Sequence, residues 1–272
     1  MKEKVNQLFD EQLASWELAR NNYKALEQVK TKPLVVDGRE YKVQFNPARI
    51  ISSSARTDAQ AIRERKCFLC AENRPPEQIG IPFKENYIVL VNPFPIFPRH
   101  LTIPSIVHTP QQMASRFGDM LDLAKQLDDY VVFYNGPKSG ASAPDHFHFQ
   151  AGSKGFLPIE NDRKMYNSII IESDNKEEVI NRFKQISATL PLAPEDNEPK
   201  MNILIWYEAV KWVVCIFPRK KHRPSCYGAE GDDHILISPA SVDLGGVFIT
   251  PLEKDFLKIS AENIREILNE IS

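Results

Sequence analysis

The sequence predicts an α+β fold with a largely antiparallel sheet and flanking helices. Short apolar runs with strand spacing dominate the chain, and helical spacing appears in only a few stretches. The two kinds of element do not alternate regularly, as they would in a wound parallel sheet. The chain has 272 residues, of which 42% are hydrophobic and 26% charged, which is ordinary for one large folded domain or two small ones.

The first half of the chain begins with a predicted amphipathic helix that runs to about Leu26, because its apolar residues recur at helical spacing. A second helix is predicted from Met113 to Leu127. Strands are predicted at Pro33–Val36, Tyr41–Phe45, Tyr87–Val91, Leu101–Ile103, Tyr130–Tyr134 and His146–Gln150. The first two strands flank an Asp-Gly pair, which predicts a hairpin. The polar, arginine-bearing stretch 46–66 is predicted to be a loop.

The second half repeats this pattern. Strands are predicted at Ser168–Ile171, Asn202–Tyr207, Trp212–Phe217, His234–Ile237 and Val247–Ile249. Helices are predicted near Glu177–Ile186 and from Phe256 to Leu268. The proline-rich, acidic stretch 190–199 resembles a surface loop, so we place a soft boundary there.

Charge and hydropathy exclude two classes of partner. The chain has 34 Lys and Arg against 36 Asp and Glu, so it lacks the basic field that binding to nucleic acid through many phosphates requires. Its charged N-terminus has no apolar signal core, and no stretch approaches the ~20 apolar residues that span a bilayer. We therefore expect a cytoplasmic protein without a nucleic-acid or membrane partner.

Residues 145–150 alternate polar and aromatic side chains. In a strand, this period of two places His146, His148 and Gln150 on one face and two phenylalanines on the other. The alternative is a strand whose histidines are ordinary surface residues, but three polar groups on one face favour a functional site. The preceding loop, 135–142, is rich in small residues that let backbone N–H groups approach a phosphate, although an ordinary turn has the same composition.

Cys67 and Cys70 form a C-x-x-C pair. A cytoplasmic protein has little need of disulfides, so this spacing indicates metal or redox chemistry. Two such cysteines supply half of the ligands of a tetrahedral metal. A redox pair and two reduced thiols are the alternatives, and no β-α-β context supports the redox pair. Cys215 and Cys226 are predicted to be plain core or surface thiols.

The segment His146–Ala151, HFHFQA in one-letter code, resembles the signature of the histidine-triad and galactose-1-phosphate uridylyltransferase superfamily. Within it, the segment is most similar to the GDP-L-galactose and GDP-glucose phosphorylases and to the dinucleoside-polyphosphate phosphorylases. Residues 43–49 resemble the early strand and arginine motif of these enzymes, and residues 100–104 followed by His108 resemble a strand-and-histidine element. The resemblance spans about Val43 to Gln150.

The resemblance implies a histidine-triad-like antiparallel sheet built from two related halves. Residues 1–190 would form the catalytic half with a zinc site, and residues 200–272 a degenerate half that packs on it. In relatives with a C-F-L-C knuckle, zinc is completed by a downstream histidine and by the first histidine of the catalytic strand, which match His108 and His146. The implied zinc is structural and orients that strand. No organic cofactor is expected.

The resemblance also implies a role for each matching residue. His148 would attack an α-phosphorus and form a covalent nucleotidyl-histidine, while Gln150 would donate its amide to a phosphate oxygen. The predicted substrate-binding residues are Arg49, Arg56, Asn92, Asn135, Lys138, Ser139, Gly140 and Ser142. For the two arginines, exposed loop charges are the alternative.

These expectations favour a nucleotidyltransferase or phosphorylase that acts on a nucleoside diphosphate sugar, with phosphate or a sugar 1-phosphate as acceptor. The nearest alternative is a dinucleoside polyphosphate phosphorylase or hydrolase. From another class, a non-catalytic zinc protein that binds nucleotides is the third hypothesis. Relatives are often homodimers.

Overall fold

The computed structural model describes residues 1–272, which form a large sheet, a small sheet and flanking helices. The strands are β1 (Lys30–Val36), β2 (Arg39–Phe45), β3 (Gly80–Phe83), β4 (Tyr87–Val91), β5 (His100–Pro104), β6 (Tyr130–Asn135), β7 (His148–Ser153), β8 (Ile169–Ser173), β9 (Met201–Glu208), β10 (Lys211–Pro218) and β11 (Val247–Thr250). The helices are α1 (Lys2–Ser15), α2 (Glu17–Leu26), α3 (Ile50–Ser53), α4 (Ala59–Glu64), α5 (Phe117–Gln126), α6 (Lys176–Thr189), α7 (Ser241–Leu244), α8 (Glu253–Lys258) and α9 (Ala261–Ile271). The predicted α+β class is confirmed.

The large sheet has eight strands in the order β3-β4-β5-β7-β6-β9-β10-β8, and every neighbouring pair is antiparallel. Strand β7 lies between β5 and β6. Its Gln150 is opposite Thr102 on one side and Phe133 on the other. The strand that carries His148 is therefore fixed by backbone hydrogen bonds along both edges.

The large sheet separates two hydrophobic cores. Alternate residues of β9 face opposite sides, so that Ile203 and Ile205 pack in one core and Leu204 and Trp206 in the other. The first core also contains residues of α1, α5 and α6, and the second contains residues of the small sheet and α9. Both faces of the sheet are thus covered.

The small sheet joins the two ends of the chain. Strands β1 and β2 form the predicted hairpin, whose turn residues Asp37 and Gly38 have φ of 49° and 77°, as its two-residue loop requires. Strand β11 pairs with β2 in parallel. Residues 247–250 thereby dock beside residues 42–45, close to the start of the arginine-bearing stretch.

Several predicted elements differ from those observed. The single N-terminal helix is two helices, because Trp16 adopts an extended conformation and is buried. The loop 46–66 contains α3 and α4, the latter capped by Asp58, which accepts from the N–H of Ala61. The predicted strand His234–Ile237 does not form, since the N–H of Leu236 donates to the carboxylate of Asp255 instead of to a neighbouring strand. The strand predicted from His146 begins at His148.

The predicted boundary at 190–199 does not divide the sheet. Strand β9 pairs with β6 from the first part, and β10 pairs with β8. Residues 1–190 and 200–272 therefore contribute to one continuous sheet, and their relation as two halves stays a prediction. None of the helices has the length and hydrophobicity that crossing a membrane requires.

Candidate functional site

Eight residues that the sequence predicts to act on or bind substrate line one cavity of about 770 Å³. They are Arg49, Arg56, Asn92, Asn135, Gly140, Ser142, His148 and Gln150. They come from β6, β7, the loop between these strands, the segment after β2 and the end of β4. The fold thus brings together residues that are separated by a hundred positions.

The imidazole of His148 is held in one orientation. Its Nδ1 donates to the backbone carbonyl of His146 at 2.9 Å, which leaves Nε2 without a hydrogen bond. The side chain is almost fully buried, and this burial lowers the pKa of His148 to about 4. At neutral pH the ring is therefore uncharged, and the lone pair of Nε2 is free.

Gln111 fixes the backbone around His148. Its amide oxygen accepts from the N–H of His148 at 2.8 Å, and its amide nitrogen donates to the carbonyls of His148 and Asn135, each at 3.0 Å. The side chain is fully buried. One glutamine therefore connects the first residue of β7 with the last residue of β6.

Gln150 is two residues further along β7 and lines the same cavity. Its amide oxygen is 3.0 Å from Nε2 of His100, a fully buried histidine at the start of β5. Phe147 and Phe149 point into the first core, as the predicted alternation requires. His146 departs from that pattern because it precedes the strand and faces the cysteine pair.

Asn135 is oriented by residues from the last third of the chain. Its amide oxygen accepts from Nδ2 of Asn202 at 2.8 Å and from both the N–H and the hydroxyl of Ser241, at 2.9 and 2.6 Å. Nη1 of the buried Arg219 donates to Asn202 at 2.6 Å. With its oxygen saturated, Asn135 has its amide NH₂ group left for the cavity.

The loop between β6 and β7 depends on a glycine. Gly140 has a φ of +95°, and a Cβ at this position would lie 2.7 Å from the Cβ of Ala240. The backbone N–H groups of Gly140 and Ser142 do not donate to any group of the protein. They are therefore available to an anion in the cavity.

The two predicted cations occupy different settings. Arg49 is half-buried and donates to the carbonyl of Phe94 at 2.8 Å, and burial lowers its pKa to about 10. It therefore stays charged at neutral pH. Arg56 is more exposed and pairs with Asp58, 3.2 Å away. Asn92 uses both ends of its amide within the protein, donating to Thr102 and accepting from the N–H of Phe94.

Two predicted substrate residues lie outside the cavity. Lys138 points to the acidic segment before β9, where it forms an ion pair with Asp196. Ser139 is fully buried, and its backbone N–H donates to the carbonyl of Gly136. Neither side chain therefore lines the cavity that contains His148.

Cys67, Cys70, His108 and His146 form a cluster whose ligand atoms all lie within 4.8 Å of one another. Nδ1 of His146 is 3.2 Å from Sγ of Cys67, and Nδ1 of His108 is 3.2 Å from Sγ of Cys70. Ligands of one tetrahedral zinc ion lie roughly 3.5 Å apart, given Zn–S and Zn–N bonds of about 2.3 and 2.0 Å. The four side chains are thus close enough to bind one metal ion.

Neighbouring groups orient the His146 ring and favour ionisation of Cys67, as metal binding requires. Nε2 of His146 donates to the carbonyl of Ser105 at 2.8 Å, so that Nδ1 directs its lone pair at the cysteines. Burial opposes ionisation of the Cys67 thiol. When the His146 ring is protonated, its hydrogen bond and those of two backbone N–H groups outweigh burial and lower the pKa of Cys67 to about 6. A thiolate is the form that coordinates metal.

Sequence reasoning missed the residues that orient the site. Gln111, Asn202 and Ser241 form hydrogen bonds with Asn135 or His148 from distant segments, and Arg219 acts through Asn202. No local motif marks these residues. Asp243 also lines the cavity, where burial raises its pKa to about 6. Its two carboxylate oxygens accept from backbone N–H groups, so it holds the segment around α7 in place.

The fold is similar to that of yeast Ap4A phosphorylase. The crystal structure of that protein aligns with a TM-score of 0.62 and 15% sequence identity, covering 94% of this chain and 96% of that chain. Its complex with AMP aligns with a TM-score of 0.61 and 16% sequence identity, covering 96% of each chain. Its complex with Ap4A aligns with a TM-score of 0.54 and 15% identity, covering 95% of this chain and 97% of that chain. At this identity the likeness shows the fold, a mixed α+β architecture with a large antiparallel sheet, as the sequence predicts. A comparison with curated protein sequences finds no match.

One sequence family matches residues 8–153, which are more than half of the chain. The matched region includes the cysteine pair, Gln111, the glycine-containing loop and the whole of β7. Its description is a domain of unknown function, DUF4922. The chain belongs to this family, DUF4922.

Proposed function

We propose that the chain is a nucleotidyltransferase of the phosphorylase type, and that His148 carries the nucleotidyl group. The hydrogen bond from Nδ1 of His148 to the carbonyl of His146 supports this proposal most strongly. It leaves Nε2 of a neutral ring without a partner, on the same strand as Gln150 and in the wall of the cavity. An imidazole nitrogen in this state is a nucleophile.

The proposed reaction has two steps. In the first, Nε2 of His148 forms a bond to the α-phosphorus while the bond from phosphorus to the bridging oxygen breaks, and that oxygen leaves with the electron pair. In the second, an oxygen of the acceptor bonds to the phosphorus, and the electron pair of the P–N bond returns to Nε2. With a nucleoside diphosphate sugar and phosphate, the products are a sugar 1-phosphate and a nucleoside diphosphate.

Polar groups around His148 match the charge of such a substrate. Arg49 keeps its charge, and Gly140 and Ser142 offer backbone N–H groups. The amide of Gln150 can donate to a phosphate oxygen, a contact of the type whose removal costs ~10²–10³ in rate. Since an amide is not an acid, Gln150 suits leaving groups that depart without a proton, such as sugar phosphates.

The substrate class that we favour is a nucleoside diphosphate sugar, with phosphate or a sugar 1-phosphate as acceptor. A dinucleoside polyphosphate is the second candidate, and the fold likeness to yeast Ap4A phosphorylase supports it. A cavity of about 770 Å³ is within the size range of small-molecule sites and has room for either class.

We also propose that Cys67, Cys70, His108 and His146 bind zinc. Two thiolates and two imidazole nitrogens are the donor set that this ion prefers, and four protein ligands are typical of a structural site. A structural ion would tie the segment 67–70 to the residues immediately before β7, and so support the position of His148.

Product analysis tests the proposed function. The protein is incubated with GDP-glucose, UDP-glucose, ADP-glucose or diadenosine tetraphosphate, each with and without inorganic phosphate, and the products are separated by chromatography. Phosphate-dependent formation of a nucleoside diphosphate and glucose 1-phosphate supports the favoured class, whereas ATP release from the dinucleotide supports the second. Nucleotide binding without turnover of any of these compounds, unchanged in His148→Ala, contradicts the proposal and favours a non-catalytic nucleotide-binding protein.

A further inference from the structure

His100 is buried beside the cavity and contacts the side chain of Gln150. Its Nε2 is 3.0 Å from Oε1 of Gln150, and its Nδ1 is 3.2 Å from the backbone N–H of Ile96. The backbone N–H of His100 donates a hydrogen bond to the hydroxyl of Tyr23, and that hydroxyl donates to the backbone carbonyl of His100. Every polar atom of His100 therefore has a partner.

These contacts determine where the ring proton lies. The N–H of Ile96 is a donor, so Nδ1 of His100 must accept and cannot carry a proton. In a neutral ring the proton is then on Nε2, which donates. The group of Gln150 that faces it must be an acceptor, which fixes the amide oxygen toward His100 and the NH₂ group toward the cavity.

The ring stays neutral at working pH. Burial lowers the pKa of His100 to about 3, and the positive charge of Arg49 acts in the same direction. The ring also packs at 5.5 Å from the ring of Phe97 and 5.8 Å from that of Phe133, measured between centroids. Neither protonation nor free rotation is therefore open to His100 in the folded chain.

We propose that His100 is a positioning residue that, through the proton on Nε2, holds the amide of Gln150 with its NH₂ group directed at the phosphate position beside His148. Without this contact, the two ends of the amide could exchange, and an oxygen facing the phosphate would repel it. His100 also accepts from Ile96, so the proline-rich segment 93–98 and the amide of Gln150 are set by the same ring. This inference rests on the proposed function, in which Gln150 stabilises a phosphate.

The first test needs no substrate. Protein with ¹⁵N-labelled histidine is examined by NMR at neutral pH, and the His100 ring is assigned by comparison with His100→Gln. We expect a neutral ring with its proton on Nε2 and an unprotonated Nδ1. A proton on Nδ1, or a charged ring, would overturn the inference whatever reaction the protein catalyses.

The second test is a double-mutant cycle on kcat, with KM measured in the same experiments, using whichever of the three glucose nucleotides or diadenosine tetraphosphate the wild type cleaves. We expect Gln150→Leu to lower the rate by ~10²–10³. His100→Phe, which keeps a ring against Phe97, should lower kcat at least ~10-fold with little change in KM. The double variant should be no slower than Gln150→Leu, because the two residues act as one unit.

His100→Gln is the matched rescue variant, since its amide can donate from the place of Nε2. We expect it to recover most of the rate that His100→Phe loses. The inference would be overturned if the double variant lost the product of the two single-variant rate reductions. It would also be overturned if His100→Phe kept the wild-type rate. If no compound is cleaved by the wild type, the proposed function fails, and the NMR experiment still decides how His100 and Gln150 are oriented.

Discussion

The backbone carbonyl of His146 accepts a hydrogen bond of 2.9 Å from Nδ1 of His148. The side chain of His146 faces the two cysteines, and its carbonyl orients the ring of the proposed nucleophile two residues later. One residue thus belongs to the Cys/His cluster and also contacts His148, which lines the cavity. Any change that moves His146 should therefore affect His148.

Removal of the Gln111 side chain should destabilise the fold, because this side chain holds the backbone of His148 and Asn135. Gln111→Leu leaves the N–H of His148 and the carbonyls of His148 and Asn135 without their partner in a buried environment. We expect a loss of about 3 kcal/mol in the free energy of unfolding. The adjacent Gln112→Leu is the control, because its side chain is half-buried and makes no hydrogen bond, and it should change stability by less than about 0.5 kcal/mol. Urea unfolding measures both, and equal losses would contradict this role of Gln111.

Gly140 should tolerate no side chain. In Gly140→Ala the new Cβ would meet that of Ala240 at 2.7 Å, in addition to the strain of a φ of +95°. We expect a cost of about 3 kcal/mol. Gly155→Ala is the matched control, since Gly155 has a φ of +82° and nothing within 4 Å, and it should cost about 1 kcal/mol from strain alone. Nucleotide affinity, measured by calorimetry, should fall in Gly140→Ala and stay unchanged in Gly155→Ala.

Removal of one cysteine of the cluster should release the proposed zinc. Cys67→Ser is expected to reduce bound zinc from stoichiometric to trace amounts in metal analysis, and to destabilise the chain by roughly 3 kcal/mol or more. Cys226→Ser lies outside the cluster and should retain the metal. If the wild type binds no zinc after expression in medium that contains zinc, the proposed metal site is refuted. The proposed role of His148 does not depend on this result.

His100 should make the stability of the fold depend on pH. Its pKa is lowered to about 3 in the folded chain from an ordinary value of 6.5. As pH falls below 6.5, the unfolded chain takes up a proton that the folded chain does not, so stability falls with pH until about 3. Between pH 7 and pH 5 this amounts to about 2 kcal/mol. Urea unfolding measures the free energy of unfolding at both pH values. Between pH 7 and pH 5 this free energy should fall by that much less in His100→Gln than in the wild type, and an identical fall would contradict a buried neutral ring.

Local patterns in the sequence predicted the parts of the site that neighbouring residues determine. The period of two from Phe147 to Gln150 and the small residues after Asn135 are such patterns, and the structure brings both to one cavity. The hairpin at Asp37 and Gly38 was predictable for the same reason, because two residues alone determine its turn.

Contacts between distant segments decided the rest. Lys138 was expected at the substrate, but it forms an ion pair with Asp196, which lies on a segment that no motif connects to the loop. Asn202 orients Asn135 only because β9 pairs with β6. The sequence of neither strand alone predicts this pairing. The break at Trp16 likewise depends on the burial of its side chain against the cavity.

Intact-protein mass spectrometry after brief incubation with a nucleotide donor tests whether His148 carries the nucleotidyl group. The donors are GDP-glucose, UDP-glucose, ADP-glucose and diadenosine tetraphosphate, each without and then with inorganic phosphate. We expect that one donor adds the mass of a nucleoside monophosphate to the wild type, that phosphate removes this mass, and that His148→Ala never acquires it. An adduct that forms equally in His148→Ala, or phosphate-dependent turnover that proceeds at the wild-type rate without His148, would rule out His148 as the nucleophile.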